Sequence, residues 1–91
     1  MNLDIHYPYG IPFYSDLNFI PVSFANNDTE LFTIYFMKNN KVSDLAGIVF
    51  PQEKKKYHFP EKSIVAIITQ KKPDKIQCYI KLVKDMTYIY P

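Results

Sequence analysis

The stretch from Ser63 to Val83, SIVAIITQKKPDKIQCYIKLV, sets two apolar, β-branched-rich runs on either side of a charged turn. That arrangement reads as a β-hairpin. In the second arm Ile76, Cys78, Ile80 and Leu82 share one face and Lys75, Gln77, Tyr79 and Lys81 the other, because side chains alternate along a strand. The first arm, Ile64 to Thr69, is apolar or β-branched on both faces, the pattern expected of a strand covered on both sides. With Lys71 to Asp74 as a four-residue loop, counting back pairs Thr69 with Ile76, Ile67 with Cys78 and Val65 with Ile80. The apolar faces coincide in that register, so Ile67 and Ile80 are expected in the core and Lys81 in solvent.

The rest of the chain repeats the strand pattern between turn signals. Leu3, Ile5 and Tyr7 alternate with Asn2, Asp4 and His6 up to Pro8, where a ladder donor is lost. Gly10 and Pro12 then sit among Tyr9, Ile11, Phe13 and Tyr14, a turn composition with much apolar surface. A second strand over 18–24 breaks strict alternation near Ile20 and Pro21, which points to a bulge or an edge position. Leu31 to Lys38 is strand, and Asn39 and Asn40 tolerate the left-handed backbone of a tight reversal. Ser43 is placed to cap one helical turn over Asp44, Leu45 and Ala46, while 47–50 resembles strand. Pro51 and the run Gln52 to Lys56 are expected as loop, Tyr57 to Phe59 as a short strand, and Met86 to Tyr90 as a last strand. The expected fold is therefore all-β, a small antiparallel sandwich or partly open barrel of about six or seven short strands with at most one short helical turn. At 91 residues, 1–91 is expected to be one compact domain.

Composition narrows the function classes. No apolar run approaches the roughly 18 residues of a membrane span, and Asp4 and His6 stand where a signal peptide would start. No membrane association and a cytoplasmic location are expected. A lone cysteine, Cys78, has no internal disulfide partner and faces the apolar side of its strand. All 11 basic residues are lysine, so bidentate guanidinium recognition of phosphate, carboxylate or guanine is absent.

Catalytic constellations are missing. His6 lies two residues from Asp4 on one strand face, a pairing that can fix a tautomer, although a solvated strand face is the preferred account. Neither His6 nor His58 has metal-ligand spacing to Asp4, Asp16, Glu53 or Glu61. No serine has a glycine-rich elbow, and Gly10 and Gly47 stand alone, outside any phosphate-cradling motif. The expectation is a chain without enzymatic activity, metal or cofactor.

Two surface features remain. The 15 Phe and Tyr side chains are many for a small interior, and Tyr7, Tyr9, Phe13 and Tyr14 near the start with Tyr88 and Tyr90 at the end form the candidate protein-binding set. They point to an interaction module that binds a protein partner or a second copy of itself, of a size and composition that would suit a phage or mobile-element accessory protein inhibiting a host factor. The alternative set is Lys54, Lys55, Lys56, Tyr57 and His58, with Lys71 and Lys72 at the hairpin turn and Tyr79 and Lys81 on its polar face. Lysines interleaved with rings on a β surface suit single-stranded nucleic acid or a nucleotide.

Overall fold

A computed structural model describes residues 5–9 and 18–91, and every element in it is a β-strand. Eight strands are present among the described residues: β1 (Ile5–His6), β2 (Phe19–Asn26), β3 (Phe32–Lys38), β4 (Lys41–Val49), β5 (Lys54–Pro60), β6 (Ile64–Thr69), β7 (Ile76–Lys81) and β8 (Thr87–Tyr90). They form two four-stranded sheets, sheet A in the order β1-β5-β2-β8 and sheet B in the order β4-β3-β6-β7. Four of the six pairings are antiparallel, as expected, but β1 with β5 and β2 with β8 are parallel. The chain thus returns to sheet A twice, with β5 and with β8, and local alternation carries no signal for such non-consecutive pairings.

Both sheets turn alternate residues inward. Val22 and Phe24 on β2, Tyr57 and Phe59 on β5, Phe32 and Ile34 on β3, and Val65 and Ile67 on β6 are buried in one cluster. Their rings interlock: Phe24 lies 5.7 Å from Tyr57, 6.0 Å from Phe59 and 6.2 Å from Tyr88, while Phe32 meets Tyr88 edge-on at 5.8 Å. Tilted and edge-to-face contacts at these separations are the favoured aromatic arrangements. Asn26 and Thr69 are the buried polar residues among those described, and Asn26 is well employed. Its Nδ2 donates to the carbonyls of Glu30 and Val49 at 2.9 and 3.0 Å, and its Oδ1 accepts from the Asp28 N–H at 2.9 Å. One amide therefore ties the end of β2 to the loop that crosses to sheet B and to the end of β4.

The central hairpin keeps the expected register where it matters for the core, with Val65 opposite Ile80 and Ile67 opposite Cys78. Towards the turn it departs: Ile68 faces Ile76, so Gln77 is the extra residue of a bulge, and six residues rather than four separate the strands. Ile80 is half-buried, since β7 is an edge strand. Asn39 and Asn40 both take positive φ, 54° and 63°, between the adjacent pair Lys38 and Lys41, the two-residue turn that matches strand twist. Pro21 also finds its explanation. Ser23 N–H donates to the Met86 carbonyl on the β8 side, so by alternation the donor that Pro21 lacks would point to that side too, where β8 has not yet begun.

Two expectations are corrected. The helical turn over Asp44, Leu45 and Ala46 is strand, since β4 runs unbroken from Lys41 to Val49. Two register shifts against β3 explain the misleading pattern: Tyr35 faces Leu45 while Ile34 faces Gly47, leaving Ala46 as an extra residue, and a second irregularity lies towards Val42. The expected loop over Gln52 to Lys56 is likewise shorter. Lys54, Lys55 and Lys56 belong to β5 and pair with Ala25, Phe24 and Ser23, because alternation lets two of them face solvent while the strand still joins the sheet.

One side of the sandwich is stitched shut. Tyr9 N–H donates to the Ala46 carbonyl at 2.8 Å, and Lys55 Nζ reaches across from sheet A to the Ile48 carbonyl at 2.9 Å. Tyr57 lies directly over Gly47, where an added Cβ would stand 2.7 Å from the ring carbon Cζ. Glycine is needed at that position for space. Burial pushes the Tyr57 hydroxyl up to about 12, against a smaller opposing effect of its hydrogen bond with the Ile48 backbone.

Truncating Ile67 to Ala should cost about 2 to 5 kcal/mol. Ile80→Ala should cost less, and Lys81→Ala should stay within about 0.5 kcal/mol; urea midpoints would check the order. The raised Tyr57 value has a definite sign. The folded state favours the neutral phenol, so its contribution is complete below pH 10 and is lost as pH rises from 10 towards 12. Alkaline unfolding followed by far-ultraviolet circular dichroism should fall in that window, and Tyr57→Phe should flatten it.

Candidate functional site

The outer faces of the two sheets differ sharply. On sheet B the outward positions are Val42, Leu45 and Ile48 of β4, Thr33, Tyr35 and Met37 of β3, Ile64, Ala66 and Ile68 of β6, and Ile76, Tyr79 and Lys81 of β7, as their cross-strand pairing requires. Ten of these are aliphatic or aromatic, with one charge. Tyr79 is 60% exposed, Ile64 45% and Val42 39%. Ala66 is fully buried although it lies outside the core cluster, because its cross-strand partners are Tyr35 and Tyr79, one ring on each side. The face therefore has relief, with a small residue between two large ones. Nearby, Met37, Ile64, Tyr79, Asn39 and Asn40 line a shallow depression of about 420 Å³, which joins an apolar floor to the two amides of the β3–β4 turn.

On sheet A the centre of the outer face is small: Pro21, Ser23 and Ala25. Lys54, Lys56 and His58 flank it on β5, and Thr87 and Ile89 on β8. At one corner the Tyr7 ring meets Phe19 and His58 edge-on, each at 5.8 Å.

The candidate protein-binding residues fall into three groups. Tyr7 and Tyr9 are exposed. Tyr88 and Tyr90 point inward and pack on Phe32, both at 5.8 Å, and the Tyr88 hydroxyl accepts from the Cys78 thiol at 3.6 Å. Burial pushes the Tyr88 hydroxyl above its ordinary value. Phe13 and Tyr14 lie outside the described residues.

The lysine and ring set is divided by the sandwich. Lys54, Lys56 and His58 face out from sheet A, whereas Tyr79 and Lys81 face out from sheet B. Lys71 and Lys72 sit at the β6–β7 turn, Lys71 with its ammonium 3.9 Å from Asp28. Tyr57 is in the core. Lys55 is engaged by the Ile48 carbonyl, by Glu53 at 3.6 Å and by the Phe50 ring at 5.7 Å. Among the described residues, no three His, Cys, Asp or Glu side chains converge on a point where they could hold a metal ion, and no helix is long and apolar enough to cross a membrane.

The outer face of sheet B was within reach of sequence reasoning. The two-sided apolar pattern of β6 signalled cover on both faces, and the fold supplies cover from the opposite sheet on the inner face alone. No protein-family model, curated protein or solved structure matches the chain.

Proposed function

We propose that the chain is a non-enzymatic interaction module that binds a protein partner through the outer face of sheet B. The observation that carries this reading is the apolar character of that face, which continues across all four strands and includes the exposed Ile64, Val42 and Tyr79. Contiguous exposed apolar surface of this kind is uncommon in a monomer and characteristic of interaction sites. Its relief favours the reading further, since aromatic side chains beside a shallow apolar depression are the usual anchors of an interface. Asn39, Asn40 and Lys81 supply a polar border at one end.

Tagged protein exposed to extracts of the source cells should recover a partner that Ile64→Asp and Tyr79→Asp each lose. A central anchor is worth about 2 kcal/mol or more, so each variant should bind roughly thirtyfold more weakly. Unchanged circular dichroism would show that the fold is retained. Equal recovery by the three proteins, or no partner for the unaltered chain, would sink the reading.

The ring cluster on sheet A favours a second reading, single-stranded nucleic acid laid over Ser23 and Ala25, with Tyr7 and His58 as stacking rings and Lys54 and Lys56 as phosphate contacts. If it holds, oligonucleotide affinity should fall steeply with salt, and Lys54→Ala with Lys56→Ala should reduce the slope of log affinity against log salt by about 1.4. Absence of oligonucleotide binding at low salt would remove it.

A further inference from the structure

The two sides of the sandwich are built differently. One is closed by the Tyr9 to Ala46 hydrogen bond and by Lys55 reaching Ile48, and its edge strand in sheet B, β4, is bulged, with two register shifts against β3. The other side ends in β7 and β8, and among the described residues no strand pairs with β7 beyond β6. From Cys78 to Lys81 β7 runs without a shift. Leu82 N–H donates to the Ser63 carbonyl, so alternation turns the N–H and C=O groups of Cys78 and Ile80 towards β6 and those of Tyr79 and Lys81 outward. The side chains at this seam are incompletely covered: Cys78 and Ile80 are half-buried, and Tyr79 is exposed. An unpaired backbone edge beside apolar side chains on both faces is what an added strand requires.

Charge selects the occupant. The segment 71–84, KKPDKIQCYIKLVK, carries five lysines against one aspartate, Asp74, although the whole chain has a net charge of only +2. Bringing two such edges together opposes like charges, so a second copy is disfavoured. Resting on the protein-docking reading above, we propose that the outer edge of β7 takes an extended acidic segment of the partner protein, added to sheet B as a fifth strand. Its backbone pairs with Tyr79 and Lys81. Its outward apolar side chains continue the sheet B face past Tyr79, its inward ones cover Cys78 and Ile80, and its carboxylates lie near Lys75 and Lys81.

The test is a displayed library of random nine-residue peptides selected against the intact protein. Enriched peptides should be acidic at their ends and apolar between. An enriched peptide, synthesised and bound, should slow amide exchange at Tyr79 and Lys81 specifically. Lys75→Glu combined with Lys81→Glu should weaken it at least tenfold and gain affinity for its Lys-substituted counterpart. No enrichment, enrichment of neutral or basic peptides, exchange protection confined to sheet A, or dimerisation of the unaltered protein through β7 in sedimentation would each overturn the proposal. Failure here is distinguishable from failure of the docking reading. Partner capture that is lost with Ile64→Asp while Tyr79 and Lys81 amides stay unprotected removes the added strand and keeps the face. Protected amides with capture indifferent to Ile64→Asp do the reverse.

Discussion

The interlocked rings between the sheets are the contact on which everything else depends. Phe24 touches Tyr57 and Phe59 from the neighbouring strand β5 and Tyr88 from β8 on its other flank, while Phe32 brings sheet B onto the same cluster through Tyr88 and Tyr90. Fully buried rings of this size each remove some 150 to 250 Å² from water, so the lattice accounts for much of what holds two short sheets together. It also fixes orientation. With the even-numbered residues of β2 committed inward, Ser23 and Ala25 must face out, and the same logic turns Tyr35 and Tyr79 towards solvent on sheet B.

This commitment explains why the aromatic surplus does not map simply onto an interface. Counting rings against interior volume identifies that some must reach the surface, and Tyr7, Tyr9 and Tyr79 do. It cannot say which, because the parity of a short strand is set by its partner. Tyr88 and Tyr90 come inward through the parallel pairing of β8 with β2, a contact between distant parts of the chain with no local signature. The lysine run shows the converse. Three consecutive charges look like loop, yet a strand at the side of a sandwich accommodates them by sending Lys54 and Lys56 outward and stretching Lys55 across the seam to a carbonyl.

Where pairing is local, the sequence was a sound guide. The Asn39 and Asn40 reversal, the β6–β7 pairing near the core and the all-β class follow from alternation and turn chemistry within a few residues. The bulges at Ala46 and Gln77 were not legible, since an extra residue shifts the period without leaving a distinctive residue type. The candidate face itself was half legible: the two-sided apolar pattern of β6 marked it, but only the second sheet's position reveals which side stays uncovered.

The parallel pairing of β8 with β2 has a kinetic consequence. Phe24 is made before its partner Tyr88, from which a long stretch of chain separates it. A nascent chain that has not yet delivered Tyr88 holds the first half of the ring lattice with one flank uncovered, and loop closure over so long a separation is slow compared with hairpin formation. During translation the protein therefore passes through a stage in which sheet B can form its local hairpins while sheet A remains an exposed, ring-rich surface, the stage at which chaperone capture or misassociation would compete most strongly with completion of the fold.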